Sequence, residues 1–265
     1  ADAKAEIFEG VEPGGVAVLN AHNAHFIRLK QKAENHGLNV ISVGRDKTAD
    51  CHLVSAGKYV AAEIGGKTME YHLPALGAHM VANSLLVLAA AHALGLFVPA
   101  SAEALTEFQE PAGRGRVQHI TVDGKEIILI DDSYNASPAS MRAAFAKTQL
   151  LWENNGSTGQ KVAALGDMLE LGSQSEAMHK ALAPELAVFD AVFTAGQLMR
   201  HLHDALAAEK RGGHAASAKE LLPVLTKNLR SGDIVLVKGS NGSKMHELAK
   251  ALMHASAAGG KKHAV

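Results

Sequence analysis

Short apolar runs alternate with helix-period segments along most of this chain. The run Ile127-Ile128-Leu129-Ile130 stops abruptly at Asp131-Asp132-Ser133-Tyr134-Asn135-Ala136-Ser137-Pro138. The order recurs three times: residues 161–165 lead into Gly166-Asp167-Met168-Leu169-Glu170-Leu171-Gly172, residues 191–194 into Ala195-Gly196, and residues 233–237 into Lys238-Gly239-Ser240-Asn241-Gly242. Each run reads as a buried strand followed by a polar loop and a helix. Such alternation predicts a parallel sheet of βαβ units. Its four loops should gather on one sheet edge, where ligands of open α/β sheets bind.

The first hundred residues are patterned differently. Residues 4–8 resemble the tail of a helix, and residues 16–19 a strand ending in Asn20-Ala21-His22-Asn23. Residues 24–36 have the period of an amphipathic helix with Gly37 as its stop, and residues 40–43 form the next strand. Gly65-Gly66 between residues 58–64 and 67–73 is a two-residue hairpin signal. A turn is expected at residues 74–77 and a helix over residues 83–94, buried nearly all round. A short helix over residues 101–108 would take Ser101 as cap. Glu110-Pro111-Ala112-Gly113 marks a boundary between residues 1–110 and 111–265. Beyond it, Asp123-Gly124 joins two runs as a hairpin, a surface loop is expected over residues 154–160, and the Gly259-Gly260-Lys261-Lys262-His263 tail reads as frayed.

Composition narrows the function classes. With 26 basic and 27 acidic residues the net charge is −1, so no electrostatic case exists for nucleic acid or an anionic membrane as partner. No apolar run is long enough to span a bilayer. The lone Cys51 excludes an internal disulfide, suits a reducing cytoplasm, and reads as a small buried residue. A monomer is expected. The adjacent acids Asp131 and Asp132 at a strand end are costly unless they meet a metal, a ribose hydroxyl or backbone donors. A plain turn with Asp or Ser as N-cap would also account for them.

In this order, the motifs resemble the Mur ligase family of peptidoglycan synthesis. They are Ala3-Lys4-Ala5-Glu6-Ile7-Phe8, the stretch from Leu73 through Gly77-Ala78-His79-Met80 to Asn83-Ser84-Leu85, Gly113-Arg114, Asp131-Asp132-Ser133-Tyr134-Asn135-Ala136, Gly166-Asp167-Met168-Leu169-Glu170-Leu171-Gly172 and Lys238-Gly239-Ser240. The strings around Tyr134 and Met168 resemble the branch that joins D-Ala-D-Ala to UDP-MurNAc-tripeptide. The resemblance implies an α/β fold: the later part of a central ATPase-type domain (1–110), then a Rossmann-like C-terminal domain with a mainly parallel sheet (111–265). It implies ATP with Mg²⁺, amide formation through an acyl phosphate, and a cytoplasmic location. The family's phosphate loop, of the form Gly-x4-Gly-Lys-Thr/Ser, has no match in this sequence; Gly239-Ser240-Asn241-Gly242-Ser243-Lys244 has the wrong spacing. The chain is therefore expected to be an inactive piece of a longer protein.

Residue roles follow from the resemblance in the same way. Lys4 matches the lysine that is carbamylated in the family and would then hold Mg²⁺; from its residues alone it is a surface lysine. His79 is expected near phosphate and metal, and Asn83, one helical turn on, against the base. Met80 departs from the family's usual asparagine. Arg114 matches an arginine that reaches the terminal phosphates when domains close, with Arg116 as its competitor in register. Asp132 matches the ribose contact, Tyr134 and Asn135 the adenine contacts. Asp131 is expected to be structural. Asp167, with Glu170, would orient the amine or act on the metal, or serve as an N-cap and first-turn acid. Lys238 and Ser240 are expected at a substrate carboxylate or the dipeptide. Asn83, Arg114 and Asp132 should face a common cleft. Asn20, His22 and Asn23 occupy a family motif whose acid His22 replaces. The competing readings are a nucleotide-binding module without turnover and a folylpolyglutamate synthase-type ligase. No Gly-x-Gly-x-x-Gly follows a first strand, which disfavours a dinucleotide-dependent dehydrogenase.

Overall fold

The computed structural model describes residues 1–74, 77–156 and 158–259. The end of the tail lies outside them, as do parts of the expected turn at 74–77 and loop at 154–160. The described chain divides into two compact units, Ala1–Gln109 and Glu110–Val265.

In the first unit, helix α1 (Asp2–Ala5) runs into a 3-10 turn, followed by strand β1 (Val16–Asn20), helix α2 (Phe26–Asn35) and strand β2 (Asn39–Gly44). Then come β3 (Cys51–Ala56), β4 (Val60–Ile64), β5 (Lys67–Tyr71), α3 (Ala78–Ala93) and α4 (Val98–Ala104). The sheet order is β1-β2-β3-β4-β5; the first three strands are parallel, the last two antiparallel. Alternation along β1 feeds two layers: Ala17 packs with Ala5, Phe8 and Ala33, whereas Val18 packs with Leu85, Leu88 and Val43. The Gly65-Gly66 hairpin forms with both residues at positive φ, 58° and 73°, as a type I′ turn demands.

One strand of this unit is additional to the sequence expectations, and two helices correct them. Strand β3 was not foreseen, because it pairs with β2 over only Val43↔Cys51 and Gly44↔His52 and its outer half is exposed. Helix α3 begins five residues before Asn83 and is not buried all round: Val87 is 52% exposed and Asn83 lies on the same open stripe. Helix α4 starts at Val98 with Pro99 in its first turn, so Ser101 is inside the helix rather than its cap.

The second unit opens with β6 (Arg116–Val122) and β7 (Lys125–Asp132), joined by Asp123 and Gly124 at φ 50° and 77°. Helix α5 (Pro138–Asn155) follows, then β8 (Lys161–Gly166), α6 (Ser175–Lys180), β9 (Ala191–Ala195) and α7 (Met199–Ala205). Strand β10 (Arg211–Ala215), α8 (Ala218–Asn228), β11 (Ile234–Lys238) and α9 (Met245–Gly259) complete it. The sheet order is β10-β9-β8-β11-β7-β6, parallel except for β6. Strand β11 is buried along its length because α5 covers one face and α9 the other, which explains its unbroken apolar run. The chain passes from β7 to β8 and later returns to insert β11 between them. That reversal places the loops after β7, β8 and β11 side by side at the switch point of the sheet. Strand β10 is not legible in the sequence, because Arg-Gly-Gly-His-Ala has neither alternation nor an apolar run.

The β9–β10 flank carries a titrating pair. His214 Nδ1 lies 2.8 Å from the buried Thr194 hydroxyl, and the His203 and His214 rings are 5.5 Å apart. Burial, then Arg211, holds His203 below the usual imidazole range; burial, then Arg200 and His203, does the same for His214, with Asp204 and Asp167 opposing. The unfolded chain binds these protons more readily. Their contribution to stability is therefore present above about pH 6.5 and lost as the pH falls through the lower folded values. The urea midpoint of this unit is expected to drop on going from about pH 7.5 to 5, and His203→Gln with His214→Gln should flatten that slope. A slope unchanged in the double variant would count against the assignment.

Candidate functional site

At the switch point, the β7 end builds a turn from the residues that stop the apolar run. Asp131 is buried and structural: its carboxylate accepts hydrogen bonds from the Gly113 and Ser133 amides and the Ser133 hydroxyl. The same exchange ties the Gly113-Arg114-Gly115 segment down, since Gly115 N donates to Asp131 O and Tyr134 N to Gly113 O. Gly113 is at φ 76°, and a Cβ there would press on Tyr134 at 3.2 Å, so glycine permits the close approach. Arg114 consequently lies over the Tyr134 ring, its guanidinium carbon 4.2 Å from the ring centre. Tyr134 is 50% exposed, and the ring forms a flat, open shelf. Next to it, Asp132 accepts from Lys238 Nζ at 2.6 Å, and the same ammonium donates to the Asn135 carbonyl at 2.9 Å. Helix α5 then starts with Ser137 as cap and Pro138 in its first turn.

The two neighbouring loops are tied to one another. Asp167 Oδ1 accepts from Met199 N at 2.7 Å at the start of α7, and Gly196 at φ 107° leaves room for that carboxylate. Met168 N donates to Nε2 of the fully buried His179, whose Nδ1 bonds Ser175 O. Ser240 accepts from Leu169 N, donates to Ala136 O, and gives its amide to Asp167 O. Glu170 is held at φ 64°, a conformation that non-glycine residues rarely adopt. The hydroxyl of Ser240 and one oxygen of Asp167 thus hold the loops together.

In the first unit, the ends of β1 and β2 and the start of α3 enclose a cavity of about 440 Å³. Its polar lining comes from Asn20, His22, Arg45 and His79. Asn20 Oδ1 accepts from His22 N, and Arg45 N donates to His22 Nε2 at 2.7 Å, which fixes the tautomer with the proton on Nδ1. Of these, His79 is an expected site residue and Arg45 is not; the signal for Arg45 is that Asn20 and Gly44 end adjacent parallel strands. Asn83 is exposed one turn beyond His79 and does not line the cavity. Lys4 is exposed on α1, two residues from Asp2, which pairs with Arg28 and Lys32.

The structure thus brings Arg114, Asp132, Tyr134, Asn135 and Lys238 into one cluster, beside Ser240 and Asp167. Lys4, His79 and Asn83 belong to the other unit. Among the described residues, no group of three or more His, Cys, Asp or Glu could hold a metal ion. No described helix is long and apolar enough to cross a membrane.

Comparison with known proteins adds a family context. Residues 1–91 match the family model of the Mur ligase middle domain, and residues 115–241 that of the Mur ligase, glutamate ligase domain. The chain is similar to the UDP-N-acetylmuramoyl-tripeptide--D-alanyl-D-alanine ligase of Bacillus subtilis (strain 168): 30% identity over 259 residues, covering 96% of this chain and 54% of the relative. Among solved structures, it is similar to MurF from Acinetobacter baumannii, with a TM-score of 0.78, 26% identity, and coverage of 96% of this chain and 55% of the other. A MurF ligase from Thermotoga maritima, solved in complex with ADP, shares the fold at a TM-score of 0.74 and 21% identity, covering 96% of this chain and 56% of that one. The chain spans about half the length of the curated relatives it matches.

Proposed function

The chain belongs to the Mur ligase family, and on that footing we propose that it forms the nucleotide-gripping part of an ATP-dependent ligase. The ligase adds D-Ala-D-Ala to UDP-MurNAc-tripeptide. The observation that carries the reading is the cluster at the switch point: an acid held by a buried ammonium, beside an exposed aromatic shelf with an arginine on its face. Asp132 accepts the ribose hydroxyls. Tyr134 supports the adenine, with Asn135 at its edge. Arg114 leaves the ring face for the phosphates when the base takes its place, and its planar fork suits two phosphate oxygens at once. His79 and Asn83 of the first unit are further nucleotide contacts in this reading. Bound ATP would supply the phosphoryl group that turns the acceptor carboxylate into an acyl phosphate, and Mg²⁺, held partly by a carbamylated Lys4, would neutralise charge. Asp167 keeps the loop that receives the incoming amine in place.

The 265 residues contain no Gly-x4-Gly-Lys-Ser/Thr loop, so the chain as it stands grips nucleotide without turning it over. Titration with a fluorescent ADP analogue tests the grip, and an amide-formation assay tests the lack of turnover. Binding is expected for the wild-type chain and should weaken roughly 10- to 100-fold in Asp132→Ala, the range for hydrogen bonds to a charged group. Amide formation should be undetectable. Equal binding by a folded Asp132→Ala chain, or ligation by the chain alone, would contradict the reading.

A further inference from the structure

Lys238 is the last residue of β11 and stands in register opposite Asp132 on one side and Leu165 on the other. Its side chain is 2% exposed, and its ammonium is already engaged with Asp132 Oδ2 at 2.6 Å and the Asn135 carbonyl at 2.9 Å. The family resemblance placed this lysine on a substrate carboxylate. The carboxylate it holds here belongs to the protein. Binding an outside anion would require abandoning a buried partner of the same kind, leaving that partner's charge uncompensated.

We infer that Lys238 is a positioning residue for nucleotide recognition: it fixes Asp132 for the ribose hydroxyls and, through Asn135, closes the turn that carries the Tyr134 shelf. The inference rests on the reading of Asp132 as the ribose contact. Two contacts of one ammonium set the acid and the shelf together. The rest of the turn is already held: Tyr134 N by Gly113 O, Ala136 N by Asn135 Oδ1, and Ala136 O by Ser240. What the lysine supplies is an anchor on Asp132 and on the Asn135 carbonyl. An ionised acceptor held in one place suits a pair of vicinal hydroxyls, because pre-ordered donors and acceptors lose less freedom on binding.

The test is a ratio. ADP and 2′,3′-dideoxy-ADP are titrated into the 265-residue chain and its variants. The wild-type chain should bind ADP at least about tenfold tighter than the dideoxy analogue, as two hydrogen bonds to a carboxylate require. Lys238→Met should bring the ratio to within about threefold, and Lys238→Arg should restore part of it. A folded Lys238→Met chain that keeps the wild-type ratio overturns the inference. A wild-type chain that does not distinguish the two nucleotides overturns instead the ribose reading on which it rests. Should Lys238→Met not fold, the wild-type ammonium reports directly by NMR. Its resonance should respond to ADP and ignore D-Ala-D-Ala, and a response to the dipeptide alone would return Lys238 to substrate binding and overturn the inference.

Discussion

Replacing Lys147 by methionine is expected to destabilise residues 110–265 by about 3–5 kcal/mol, the range for breaking a buried ion pair from one side. Lys147 lies in the middle of α5 with its side chain 4% exposed, and its partner Glu110 is 11% exposed. Its ammonium meets both Glu110 oxygens at 2.5 and 2.6 Å and the Gly115 carbonyl at 2.6 Å. Methionine fills similar space but leaves a carboxylate out of water without a cation and a carbonyl without a donor. Hence the loss exceeds the worth of the pair itself. The Glu110→Met, Lys147→Met double variant should recover most of the stability, because both charges leave together. Urea unfolding of the single and double variants measures both figures. A single-variant loss below about 1 kcal/mol, the scale of an exposed pair, would show that the site is wetter than its geometry implies. The pair also brackets Arg114, so amide exchange at Gly113 and Gly115 should rise in the single variant.

On the proposed function, Arg114→Ala in a ligase that contains these residues is expected to lower kcat/KM by about a thousandfold. Phosphoryl transfer is chiefly positioning and charge neutralisation, and an arginine on the transferring phosphates contributes on the order of 10³ or more. The Gly113 and Gly115 contacts hold the backbone on both sides of Arg114, so its side chain has a defined starting place on Tyr134. Arg114→Lys should recover little, since an ammonium cannot offer the two parallel N–H groups of the fork. Turnover of purified full-length variants decides this. A loss of less than about tenfold would remove Arg114 from the phosphates and leave it as a partner of the aromatic shelf. Arg116, the competitor in register, is the first residue of β6 and pairs with Asp131 in the ladder.

Much of the fold was legible because its signals are local. The parallel strands β7, β8, β9 and β11 read as apolar runs, both faces being covered, and the Gly65-Gly66 and Asp123-Gly124 hairpins announce their turns by residues that tolerate positive φ. Asp131 was rightly expected to be structural, since a buried carboxylate at a strand end beside amides has little else to do. Strands β3 and β10 were illegible for the opposite reason. They stand on short or edge pairings, and the neighbours that hold them lie elsewhere in the chain.

From the order of its residues, this protein discloses an α/β class, the succession of strand and helix, and which polar loops follow strands. These properties depend on side-chain period and on backbone freedom over a few positions. Only the folded chain decides who meets whom. Insertion of β11 between β7 and β8 puts Lys238 against Asp132, 106 positions away, and the burial of Lys147 makes Glu110 its partner across 37. An ammonium pairs with whichever carboxylate the sheet order delivers. Distance in space, not along the sequence, sets that electrostatic interaction.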